Sequence, residues 1–291
     1  MLASSGSPPP RPPAWATGLV SRAAADIPSL FSAFAAGAAL GALDVAVRQN
    51  APFAGAWRRR LALRAAVASV GEEGGLRDAL ALTRPGGDPG PAGRVYVAWR
   101  ALASGRPLLD VALAFGASRT DSEFVAATLD AHARALVPAP LAAAAAATAV
   151  AAKGPRALPL AFAVADAVLA ARLGWLTPVP LLALEVLRAR PHEAAWTAAC
   201  CAAYARAAVR ACDLHAELGC AAARLEAVAP KLRAKGARFA ITALLDDDVV
   251  SGAAKIPQMS ERGLRRLFDR LVDLGALREL TGRPTFRLYG L

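Results

Sequence analysis

SERGLRRLFDRLVDLGALRELTGRPTFRLYGL, residues Ser260–Leu291, holds the sharpest pattern in the chain. Ser260 is a good N-cap, and Leu264, Leu267, Phe268, Leu271, Val272 and Leu274 recur at helical spacing. Gly275 stops the helix as a C′ residue. Two extended runs follow, Ala276–Leu280 and Thr285–Leu291, around the turn Thr281-Gly282-Arg283-Pro284. A helix followed by a β-hairpin, with arginines on both, reads as the back half of a winged-helix unit. With Leu264 at 0°, the apolar residues fall between about 280° and 80° on a helical wheel. Arg265, Arg262, Arg266 and Arg270 fall at about 100°, 160°, 200° and 240°.

The rest of the chain reads as helix. It has 291 residues, enough for one large or two ordinary domains. Hydrophobic residues make up 56% of it, much of that alanine, the best helix former, whereas aromatics are only 6%. Prolines and glycines cut the chain into nine or ten helices of unequal length with no fixed repeat. The fold class expected is mainly α: an irregular multi-helix bundle with a small C-terminal helix plus β-hairpin, winged-helix-like. The organisation expected is a Pro-rich disordered segment over residues 1–26, a helical body over 27–229, and the winged-helix-like unit over 230–291.

Net charge is +11, which suits a nucleic-acid partner or an acidic membrane surface. The densest basic run is Arg58-Arg59-Arg60, with Arg64 a turn later, and it reads either as a solvated face or as a lipid contact. Mean hydropathy is +0.37, but Asp44 and Asp166 interrupt the two longest apolar windows, so no membrane span is expected. The start Met1–Gly6 lacks the basic and apolar regions of a signal peptide. Cys200, Cys201, Cys212 and Cys220 share one helix and form no disulfide framework, which points to a reducing cytoplasm.

Catalytic and metal chemistries find little support. Cys212 and His215 are three apart, but zinc needs four convergent ligands, so no metal site and no cofactor is expected. Asp130 and His132 point to different helix faces, as do Asp213 and His215. No G-x-S-x-G, H-E-x-x-H or C-x-x-C motif occurs, and the chain is not expected to be an enzyme. Gly86–Arg94 opens a helix and could hold an anion or merely cap it. No small-molecule ligand is indicated.

The candidate DNA contacts are Arg262, Arg265, Arg266 and Arg270 on the helix, with Arg283 and Arg287 on the wing. Asp269 and Asp273 oppose this reading, because Arg265–Asp269, Arg266–Asp269 and Arg270–Asp273 have the spacing of ion pairs. Only Arg262 has no aspartate within helical reach. The alternative is a structural or interaction module whose body meets another protein or a second copy.

Several stretches carry a family resemblance: Phe34–Leu40, Trp57–Leu63, Asp88–Arg94 and, most specific, Gly282–Leu291. On these the whole chain resembles the bacterial family called domain of unknown function 1403, seen mainly in α-proteobacteria. The resemblance implies a bacterial cytoplasmic protein and carries no activity with it. The tail is also similar to winged-helix segments of some Fic-type and plasmid-borne helix-turn-helix proteins. It departs from them in two ways: Val249–Met259 reads as loop where a short helix belongs, and the body has no Fic motif.

Overall fold

A computed structural model describes residues 29–82, 87–185, 187, 189–232, 234–283 and 286–291. The expectations for residues 1–26, for Pro284 and for Thr285 lie outside them. Among the described residues the chain forms eleven α-helices: α1 Ser29–Gln49, α2 Ala54–Val70, α3 Glu73–Leu82, α4 Gly90–Ala103, α5 Leu108–Ala114, α6 Arg119–Ala133, α7 Ala139–Ala151, α8 Leu158–Leu173, α9 Trp196–Val228, α10 Ala237–Asp246 and α11 Glu261–Asp273. Three short strands, β1 Val250–Ser251, β2 Arg278–Glu279 and β3 Leu288–Gly290, complete it. The protein is mainly α, as its alanine content requires.

Small side chains set the packing. α1 lies along α9, α7 against α8, and α2 against α4. The alanine tract is the buried heart of α7, where Ala142, Ala143, Ala144, Ala146 and Ala147 are fully enclosed. Such residues remove little area each but let helix axes approach closely. A second cluster, built on Leu63, Leu76, Tyr96, Trp99 and Leu102, fills the space between α2, α3 and α4.

Asp44 and Asp166 are both accounted for by tertiary contacts. Asp44 pairs with Arg48 and accepts the Trp175 indole N–H at 2.7 Å. Asp166 accepts the amides of Leu181 and Leu182, at 2.9 and 3.2 Å, and so holds the 3-10 turn Leu182–Leu184. Phe31–Gln49 in α1 is long and apolar enough to cross a membrane by length and composition; 44% of it is buried.

Two glycines bring the C-terminal unit onto the body. A Cβ at Gly55 would lie 2.6 Å from the Asp246 carbonyl oxygen, and one at Gly290 would lie 2.7 Å from that of Asp248. Only a bare backbone fits at either place. Between them sits an ionic cluster. Arg100 forks onto Asp247 at 2.9 and 2.8 Å. Arg59 reaches Asp246 and Asp247, each at 3.0 Å. Asp248, 1% exposed, accepts from the Tyr96 hydroxyl at 3.0 Å, and Arg60 Nη2 donates to its carbonyl at 3.2 Å. Burial opposes the charge of Arg100, but Asp247 outweighs it and raises the guanidinium pKa. Burial and the adjacent Asp247 push the Asp248 carboxyl up to about 7. The run Arg58-Arg59-Arg60 is therefore half-buried and engaged within the fold. The solvated face expected for the run is not what forms: Arg59 pairs with Asp246 and Asp247, Arg60 donates to the Asp248 carbonyl, and Arg58 lies over the Trp57 ring.

Candidate nucleic-acid interface

α11 begins as its cap dictates: Ser260 Oγ accepts the Gly263 amide at 3.2 Å. Leu264, Leu267, Phe268 and Leu271 are buried beneath it, and the Phe268 ring meets Tyr289 of β3 at 4.7 Å. Gly275, at φ +66°, turns the chain into the hairpin. β3 is the central strand. It pairs antiparallel with β2 (Arg278↔Gly290) and with β1 (Val250↔Tyr289, Ser251↔Leu288). Helix α10, strand β1, helix α11 and the β2–β3 hairpin follow the winged-helix order with the second helix absent; turns and irregular chain take its place over residues 252–259. Residues 249–259 are thus not all loop. Val250 and Ser251 become a strand because β3 presents its free edge to them.

The six candidate arginines are all exposed on this unit, but they differ in their company. Arg265 pairs with Glu261, one turn back, not with Asp269. Asp269 takes Arg287 of the wing at 3.2 Å, and Arg287 also approaches Glu279 at 3.8 Å. Arg283, at the wing tip, is bound to Asp78 of α3 at 2.5 Å. Arg262, Arg266 and Arg270 have no ion pair among the described residues. Spaced by four, they form one stripe about 12 Å long at 1.5 Å per residue. That is close to the width of the major groove, about 12 Å. Between the Arg265–Asp269 flank of α11 and the wing lies a cleft of about 250 Å³, lined also by Gly252, Arg287 and Tyr289.

The other candidates are occupied by structure. In the Gly86–Arg94 loop, Asp88 accepts from the Gly90 amide at 3.0 Å and from Arg94 at 2.7 Å, so a side-chain carboxylate takes the place proposed for an anion. His132 Nδ1 lies 2.9 Å from the Thr128 carbonyl, while Asp130 pairs with Arg134. Cys200, Cys201 and Cys212 are buried, and burial pushes the last two thiols up to about 12. His215 packs between Phe53 at 4.8 Å and Trp57 at 5.3 Å, with no hydrogen bond at either ring nitrogen. Among the described residues no group of three or more His, Cys, Asp or Glu side chains could hold a metal ion.

Fold and surface together define a mainly α-helical protein that ends in a winged-helix-like unit. The family model described as protein of unknown function (DUF1403) matches residues 2–291, and the chain belongs to that family. No curated protein and no solved structure matches it.

Proposed function

We propose that this chain is a DNA-associated accessory or regulatory protein of the bacterial cytoplasm, with α11 as the helix that meets the duplex. The observation that carries the reading is the stripe Arg262, Arg266 and Arg270, exposed and without an ion pair among the described residues, on the helix in the recognition position. The net charge of +11 supports it, since phosphate contacts supply most of the affinity of such proteins. No reaction is assigned to the chain. The test is fluorescence anisotropy with duplex DNA across a salt series. The intact chain should bind with a steep salt slope, and Arg262→Ala/Arg266→Ala/Arg270→Ala should weaken binding and flatten the slope by about 2.7 if each arginine neutralises one phosphate. Equal binding by a correctly folded triple variant would reject α11 as the contact.

A second reading is a protein-interaction module without nucleic-acid activity. It is favoured by the outer face of α1, where Phe31 is 54% and Val45 36% exposed and the space above Gly37 and Gly41 is open. Absence of duplex binding at low salt would leave this one standing.

A further inference from the structure

Four arginines from three elements gather where the hairpin meets the body. Arg60 and Arg64 are one turn apart on α2, and Arg77 lies on α3, which packs beside it. Arg278 is the β2 residue paired with Gly290, and a Cβ at Gly290 would lie 3.4 Å from Arg60 Nη2. Among charged groups the carboxyl of Asp248 acts most strongly on Arg60, and the positive charges of Arg77 and Arg64 oppose it. Like charges brought this close are unfavourable unless something negative joins them.

Beyond Asp248 and Glu73, no carboxylate among the described residues is paired with this cluster. Arg60 donates to a backbone carbonyl, that of Asp248. Arg77 pairs with Glu73, whose side chain is 56% exposed. Arg64 and Arg278 are exposed and have no ion pair among the described residues. The Nε atoms of Arg60 and Arg77 are buried without a hydrogen-bond partner. The cluster also adjoins the proposed interface, because Asp78, next to Arg77, holds the wing-tip Arg283.

We propose that Arg60, Arg64, Arg77 and Arg278 form a second phosphate site, which holds the DNA backbone beyond the wing while α11 lies on the duplex. This rests on the DNA reading above. Arg64 and Arg278 lie open to solvent, which suits a passing phosphodiester, and the guanidinium fork matches phosphate oxygens. Arg64 and Arg278 make the contact; Arg60 and Arg77 are positioning residues that keep the field positive beneath them.

The experiment uses the full chain, duplex DNA and a salt series. Because both side chains are exposed, Arg64→Ala/Arg278→Ala should keep its circular dichroism spectrum while the salt slope falls by about 1.8. Arg64→Lys/Arg278→Lys should retain the slope, since it keeps both charges. An unchanged slope in the alanine variant, with binding still lost in the α11 triple variant, overturns this site and leaves the DNA reading intact. No duplex binding by the unaltered chain overturns both. Lost binding to vesicles containing anionic phospholipid, with duplex binding unchanged, would assign the cluster to lipid headgroups and overturn the proposal.

Discussion

At His215 the ring is 2% exposed, packed on aromatics, and stripped of hydrogen bonds. Burial, and then the charge of Arg58, lower its pKa from 6.5 to about 4. A histidine held neutral in the fold contributes stability above pH 6.5 and loses it as pH falls toward 4. Asp166 does the reverse. Burial lifts its carboxyl from 3.8 to about 7, against the pull of the Leu181 and Leu182 amides. Its contribution is whole below pH 3.8 and is lost as pH rises toward 7. His215→Leu should therefore flatten the loss of stability on acidification. Asp166→Asn, which keeps an acceptor for those amides, should remove a decline toward neutral pH. Urea midpoints at pH 4.5, 5.5 and 7 check both, and a variant with the parent's slope would refute the assignment for that residue.

On the scale of the element, α11 is the piece whose signals are all local. Its cap, its apolar stripe and its stop at Gly275 each lie within a few residues of where they act. Ser260→Ala should cost about 1 kcal/mol of folding stability by denaturant titration, because the Gly263 amide loses its acceptor. An unaltered midpoint would mean that the cap is dispensable. Less legible were features that depend on distant partners. Val250 and Ser251 are a strand only because β3, nearly forty residues on, pairs with them. Helical spacing pairs Arg265, Arg266 and Asp269, but Arg287 takes Asp269 and Glu261 takes Arg265, which leaves Arg266 without an ion pair among the described residues. The face is therefore less neutralised than spacing suggests. Among the described residues, three of the six expected contact arginines have no ion pair and three are held by carboxylates.

Over the whole molecule, the mainly α class followed from alanine content, whereas the seam between body and tail did not. Arg59 and Arg100 are more than 140 residues from Asp246–Asp248, and no local pattern links them. The hydrophobic core crosses that seam: Trp57, Leu61, Leu244, Leu264, Phe268 and Tyr289 belong to one cluster. We expect a single calorimetric transition for the intact chain. Arg100→Leu should lower stability by about 1–3 kcal/mol, between the small cost of losing an exposed ion pair and the larger cost of breaking a buried one, since the Arg100–Asp247 pair is part-buried. Two separated transitions in the unaltered chain would refute the shared core.

The aspartates at the end of α10 also bear on any attempt to assay the tail by itself. They belong to the tail in sequence and to the body in space. A peptide beginning at residue 230 would carry Asp246, Asp247 and Asp248 into water without Arg59, Arg60 and Arg100. Its electric field would be more acidic than the one the native protein turns toward a polyanion. An excised tail would thus underreport affinity, and silence from such a fragment would say nothing against the parent molecule.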